Sequence, residues 1–220
     1  MNKQLKNIIE YCEFEDKGPY LDLGTGNGYV AFEMAKQKKN ITVYGLDIAE
    51  KSIEKNIGIA KSNGIKNIRF KRYDGGKFPF AGKMFNGCLS RYALHHFPDI
   101  NFSIKEIKRI LKANGYFFLS DPLTFDEDKT GFIDEFQSLL PDGHIHFYGR
   151  NEIENLFAGE KFYIEKEFYS SVRYPREAGP LYLELLDRTP KEILEKYEIS
   201  EENGKIFVTV GVMNIFFRRG

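Results

Sequence analysis

The chain has 220 residues, 42% of them hydrophobic, with 32 basic and 32 acidic side chains and a formal net charge of zero. Such a length and apolar content fit one globular domain with a small cover. Zero charge argues against a nucleic-acid partner, which needs a basic surface, and no apolar run approaches the ~18 residues of a membrane span.

The start, Met1-Asn-Lys-Gln-Leu-Lys, lacks the apolar core of a secretory signal. Residues 2–12 place Leu5, Ile8, Ile9 and Cys12 at helical spacing and predict an amphipathic N-terminal helix within 1–14. The two cysteines, Cys12 and Cys88, make no disulfide framework. Their scarcity suits a reducing, cytoplasmic setting.

Next comes Leu21-Asp-Leu-Gly-Thr-Gly-Asn-Gly28, an apolar strand running into three alternating glycines. Glycine serves where backbone must turn tightly or approach a ligand closely. The order is G-x-G-x-G. Tyr29 fills the last-glycine slot of a dinucleotide fingerprint, and no Lys-Ser/Thr follows to make a phosphate loop. A turn with no ligand is the plain alternative for an isolated match.

Three later features bear on that choice. Asp47 ends a strand over 41–47, where its carboxylate can accept from a ribose diol. Asp74-Gly75 follows a third strand over 67–72, where an acid can accept from an adenine amino group. Phe78-Pro79-Phe80 forms a turn, then a strand over 85–90 leads into Tyr92-Ala-Leu-His-His-Phe-Pro-Asp99. A helix over 104–111, apolar at 104, 107, 110 and 111, stops at Asn114-Gly115 and is followed by a strand to Asp121. Strands alternating with helices require a parallel sheet covered on both faces.

After Asp121 the rhythm breaks. Residues 124–131 are turn-like and 132–140 form a short helix. Asp142-Gly-His-Ile-His-Phe-Tyr-Gly-Arg150 precedes a helix over 151–158. Residues 161–169 alternate as a strand, 177–198 read as helix interrupted at Thr189-Pro190, and 206–217 form a last strand. The 20 Phe and 13 Tyr are mostly core; those outside the strands are available to line a pocket.

Residues 18–121 resemble the class I S-adenosylmethionine-dependent methyltransferases, in the small-molecule branch that includes quinone and sterol methyltransferases. The matching elements are LDLGTGNG, the GLD at 45–47, the YDG at 73–75, FPF, ALHHFPD, and Glu106 to Gly115 leading into Tyr116 to Pro122. Asn86 stands where Asp is usual, Ala49 where a capping Ser is common, and Lys77 in an apolar slot. The resemblance implies an α/β, Rossmann-like sheet with helices on both faces, mostly parallel, with the last strand antiparallel between its neighbours. It also implies one domain over 1–220: a cofactor core at 18–121, a lid inserted after the fifth strand at 122–150, and a C-terminal part at 151–220.

The same resemblance implies S-adenosylmethionine as cofactor and a small molecule as acceptor. The implied cofactor residues are Asp22, Gly24, Thr25, Gly26, Asn27, Gly28, Asp47, Ile48, Asp74, Gly75 and Ser90. Ser90-Arg-Tyr-Ala93 lacks the Pro-Pro motif of enzymes that methylate exocyclic amines. A regulatory protein that binds the cofactor without turnover stays open, because its motifs would be the same. A nicotinamide-dependent oxidoreductase is disfavoured by Tyr29.

The four histidines are His95, His96, His144 and His146. One of the first pair is expected to anchor its loop to the sheet. His144 and His146, beside Tyr148, are candidates for a catalytic base facing the acceptor, with lid anchoring the equal alternative. Their His-x-His spacing lacks a placed third ligand, even with Asp121 nearby, so no metal is expected.

Overall fold

A computed structural model of the chain describes residues 8–12, 14–15 and 17–220. Residues 8–11 are helical, with Ile8, Ile9 and Cys12 buried; Leu5 lies outside the described residues.

The core is built from β1 (Gly18–Leu23), α1 (Tyr29–Gln37), β2 (Ile41–Asp47), α2 (Glu50–Ser62), β3 (Ile68–Arg72), β4 (Phe85–Arg91), α3 (Ile100–Ile110) and β5 (Leu111–Pro122). Beyond these follow α4 (Phe132–Ser138), α5 (Arg150–Gly159), β6 (Phe162–Glu177), α6 (Pro180–Arg188), α7 (Lys191–Lys196), β7 (Ser200–Glu202) and β8 (Lys205–Arg219). Among the described residues the strands form one sheet in the order β3-β2-β1-β4-β5-β8-β6, with β7 beside β8. The first five strands are parallel; β8 is antiparallel to both β5 and β6. The predicted α/β fold, with its last strand antiparallel between neighbours, is the fold observed.

Both faces of the sheet are covered, so the central strands are apolar throughout instead of alternating. On one face Leu21, Leu23, Cys88, Leu119, Met213 and Ile215 pack with Ile100, Ile104 and Ile107 of α3. On the other, Tyr20, Leu89, Phe118 and Phe216 pack with Ile8 and Ile9 and with α1 residues Ala31 and Met34. Helix α3 begins where Asp99 accepts the Phe102 N–H at 2.9 Å, an N-cap bond of the usual kind. It ends at Ile110, one residue short of the sequence expectation, because Leu111 pairs with Phe85 in the sheet. The left-handed residue is Asn114, at φ +60°.

Glu106 and Arg109 on α3 explain why the FPF turn is fixed. Glu106 accepts the Phe78 N–H at 2.8 Å, and Arg109 donates to the carbonyls of Phe80 at 2.8 Å and Phe78 at 3.0 Å. The Arg109 guanidinium, bonded to Glu106, holds that carboxyl below its usual range.

Residues 122–150 pack with part of the β6–β8 ribbon and with α6 and α7. β5 stops pairing with β8 at Pro122–Val212, whereas β6 and β8 continue together to Glu177–Lys205. The ribbon therefore overhangs the carboxyl edge of the sheet. Its Val208 and Val210 pack with Phe132, Ile133 and Phe136 of α4, Phe147, Leu185, Ile193 and Tyr197. Asp128 ties the two segments together: it accepts from the N–H groups of Phe132 and Ile133, each at 3.1 Å, and from the Tyr197 hydroxyl at 3.0 Å.

Candidate active site

The site begins at the turn after β1. Gly24 and Thr25 donate their N–H groups to the Leu46 carbonyl, at 2.9 and 3.0 Å, so the turn is laced to β2. Asp22 braces it from below, accepting the Thr25 hydroxyl at 2.6 Å and the Ala31 N–H at 3.0 Å, both through Oδ2. Burial pushes the Asp22 carboxyl up to about 6, against the lowering effect of those bonds and of the Arg91 charge. Asn56 of α2 donates to the Gly26 carbonyl at 2.8 Å.

The three glycines do different work. A Cβ at Gly24 would sit 2.3 Å from the Ala93 Cβ, so this glycine lets the loop after β4 close on the turn. A Cβ at Gly28 would meet the Phe32 ring at 2.7 Å, so this one serves helix packing. At Gly26, where φ is +48°, a Cβ would meet nothing within 4 Å. Of the three, only Gly26 has open space where a Cβ would be.

Asp47 sits over this turn. Its Oδ2 accepts the Gly26 N–H at 2.7 Å and its Oδ1 the Ala49 N–H at 2.9 Å. Ala49 caps α2 with no side-chain bond, and Asp47 instead holds the N–H of the cap residue itself. Ile48, next in sequence, is 58% exposed.

A cavity of about 240 Å³ is lined by Asp22, Gly24, Thr25, Gly26, Asn27, Tyr29, Val30, Arg91 and Tyr92. A second, of about 500 Å³, is lined by Arg72, Tyr73, Asp74, Lys77 and Pro79. Asp74 is exposed and bonds the Gly76 N–H at 3.0 Å, while Gly75, at φ +89°, faces open space. Ser90 is elsewhere: fully buried, in register with Leu23 and Leu119, its hydroxyl without a partner.

The histidines gather between the β4 edge and the cover. His95 Nδ1 lies 2.9 Å from Asp121 Oδ2, and Asp121 also accepts the N–H groups of Ala93 and His95. This is the predicted loop anchor. His144 Nε2 and His146 Nδ1 both contact Asp134 of α4, at 2.8 and 2.6 Å, and His146 Nε2 lies 3.2 Å from Glu152. The Phe147 N–H adds a bond to Asp134 at 2.7 Å. Burial opposes charge at both partners, yet these bonds leave Asp134 below its ordinary value and His146 above its own. The His95 carbonyl accepts from the N–H of Ile145 and His146, seating this loop on the sheet. His96 differs. It is half-buried, its Nδ1 is buried without a partner, and burial followed by the His95 charge lowers its pKa.

Sequence reasoning missed Arg91, Tyr92, Asn56 and Asp134. Arg91 had a signal: a cation ending a strand whose other six residues are buried. Asn56 and Asp134 carried none, since their roles depend on which helix packs where.

Comparison with known proteins fits this geometry. The methyltransferase domain family matches residues 14–168. The chain belongs to that family. Over 155 residues it is 25% identical to the uncharacterized methyltransferase YcgJ of Bacillus subtilis, covering 70% of this chain and 60% of that protein. Over 168 residues it is 29% identical to the ubiquinone/menaquinone biosynthesis C-methyltransferase UbiE of Rickettsia prowazekii, covering 71% and 62%. The matched part thus spans about three-fifths of these relatives. The crystal structure of B. subtilis YcgJ superposes with a TM-score of 0.87 at 22% identity, covering 100% of this chain and 99% of that one. The [4+2]-cyclase SpnF shares the fold, with a TM-score of 0.69 at 16% identity over 99% of this chain and 80% of that one. Among the described residues no helix is long and apolar enough to cross a membrane, and no group of three or more His, Cys, Asp or Glu side chains is placed to hold a metal.

Proposed function

We propose that the chain transfers a methyl group from S-adenosylmethionine to a small-molecule acceptor in the space between the β4 and β5 ends and the cover. The observation that carries this reading is the Asp47–Gly26 contact at 2.7 Å, which sets a carboxylate beside the glycine of this turn that has open space where a Cβ would be. Asp47 would hold the ribose diol. Ile48 would cover the base, and Asp74 and Gly75 would meet its amino edge. Asp22, Thr25, Gly24, Gly26 and Asn27 would shape the seat of the amino-acid portion, with Gly28 supporting it from a packed position; Ser90, buried with its hydroxyl unbonded, would take no part.

When bound, the cofactor supplies a methyl group already activated on a sulfonium. What remains for the protein is to hold the acceptor in line and keep water out, and orientation alone contributes up to ~7–11 kcal/mol in well-aligned systems. The cover formed by 122–150 and the β6–β8 overhang serves this purpose.

A base is needed only for an acceptor that arrives protonated. His144 and His146 are both held by Asp134, which favours the anchoring role; either would have to leave that carboxylate to act on an acceptor. His96 is biased toward its neutral form by burial and then by the His95 charge, but its Nδ1 is buried. The shared fold of SpnF keeps a second reading in view, binding without methyl transfer. Production of S-adenosylhomocysteine on incubation with small-molecule cell extract tests the proposal; cofactor binding with no product above the buffer rate favours the second reading.

A further inference from the structure

We propose that the groove between α1 and α2 is a binding site for a small amphipathic anion, a molecule with an apolar body and a carboxylate head. The groove lies apart from the acceptor space under the cover and shares only Asn27 and Tyr29 with the lining of the glycine-turn cavity. The inference therefore stands independently of the cofactor reading above.

The groove has a volume of about 610 Å³, within the ~300–1,000 Å³ usual for small-molecule sites. Its floor is apolar. Phe32 of α1 packs its ring against Phe70 at a centroid distance of 5.2 Å, which holds it in place. Ile59 of α2 and Ile65 line the groove with it. Phe32 and Ile65 are only partly buried, so their outer surface stays open to a ligand. An open apolar patch rimmed by polar groups is the form a ligand groove takes.

The rim is cationic. Lys36, Lys39 and Lys55 line the groove, and among the described residues none of the three has a carboxylate partner. Other lysines are paired: Lys108 meets Glu160, Lys196 meets Glu127 and Lys205 meets Glu177. Glu33 is the acid of the lining, and it accepts from Gln37 Nε2 at 2.8 Å instead of pairing with Lys36 one turn on. Lys36 stands in the last turn of α1, where a cation offsets the helix dipole. Lys55 has no such reason. It lies inside α2 with Lys51, Ser52, Gly58 and Ile59 three and four residues away, so no helical neighbour neutralises it. The chain's charges cancel overall, yet here three of one sign surround a groove with apolar walls, which focus the field on whatever enters. An inorganic anion would leave the floor uncovered, and a neutral hydrocarbon would leave the lysines uncompensated. A carboxylate on an apolar body satisfies both.

The test is calorimetry with octanoate on the whole chain and on the double variant Lys36→Gln/Lys55→Gln, with and without saturating S-adenosylhomocysteine. Both lysines are exposed, so the variant should keep the parent's melting temperature. The parent should bind octanoate, less tightly as salt rises, and the variant should bind it about tenfold more weakly or worse. Acetate, which lacks the body, and octyltrimethylammonium, which reverses the head charge, should bind the parent about tenfold more weakly than octanoate or not at all. The proposal is overturned if the parent binds no octanoate, if the variant binds it as the parent does, or if either control compound matches it. Octanoate binding that disappears at saturating S-adenosylhomocysteine would put the anion in the nucleoside seat and also overturns it. Cosedimentation of the parent with phosphatidylglycerol vesicles and no octanoate binding would make this face a membrane-docking surface instead. Octanoate binding by a chain that binds no nucleoside upholds this inference and removes the cofactor reading alone.

Discussion

Asp47 and Gly26, 21 residues apart, are joined by a 2.7 Å hydrogen bond from the Gly26 N–H to Asp47 Oδ2. One carboxylate thus shapes the glycine turn and, on the proposed function, would also hold the ribose. Asp47→Ala should remove both functions. Charge-assisted bonds contribute ~1.5–3 kcal/mol each, so S-adenosylhomocysteine should bind at least tenfold more weakly by calorimetry. Unchanged affinity would place the nucleoside elsewhere.

The glycine turn predicts a split between folding and binding. Gly24→Ala drives a Cβ to 2.3 Å from Ala93 and should lower the melting temperature sharply. Gly26→Ala meets no neighbour and bears only the left-handed strain of about 1–2 kcal/mol. It should stay folded while nucleoside affinity falls. Thermal melts with and without S-adenosylhomocysteine distinguish the two; equal thermal loss in both variants would contradict the assignment.

Much of this was legible in the chain. The strand–glycine–helix order, Asp47 and the run of alternating elements follow from local chemistry, and β8 was expected between β5 and β6 on resemblance. The cover was legible only in part. Val208 and Val210 read as ordinary strand residues, and nothing local says that they leave the main sheet to pack on Phe132 and Phe136. The alternation at 161–169 predicts a strand ending there, yet β6 runs to Glu177 because pairing with β8 sustains it beyond β5. The histidine pair at 144 and 146 was visible, but not the Asp134 that holds it, which lies on a different element.

The His146–Asp134 clasp should be pH-dependent. Asp134 is held below its ordinary 3.8, so its contribution is present above that value and lost as pH falls through the lower folded one. His146 is raised above 6.5, so its contribution is full below 6.5 and lost as pH rises through the raised one. The clasp is therefore strongest between about pH 4 and 6.5. Both groups are partly exposed, which limits the ion pair to about 0.5–1 kcal/mol. The melting temperature of His146→Ala should fall about 2–4 °C below the parent in that window and converge on it above. A constant gap across pH would show that packing, not charge, is lost.

Tyr197 gives a test of the cover alone. Its hydroxyl donates to Asp128 at 3.0 Å, and burial keeps the phenol far above its ordinary range. Tyr197→Phe leaves the ring in place and deletes that bond, a loss of about 1 kcal/mol. Melting should drop a few degrees with nucleoside affinity unchanged, since Asp128 is remote from the glycine turn in the chain and touches only the cover. Weaker nucleoside binding would mean that the cover and the cofactor seat are coupled.

The central claim is that the cavity beside Asp47 and Gly26 is an S-adenosylmethionine site, and titration calorimetry with S-adenosylhomocysteine addresses it most directly, with NADH as the competing ligand. The account predicts one-to-one binding of S-adenosylhomocysteine with a dissociation constant of roughly 1 μM to 1 mM and no heat from NADH. Binding of NADH with none of S-adenosylhomocysteine would contradict it.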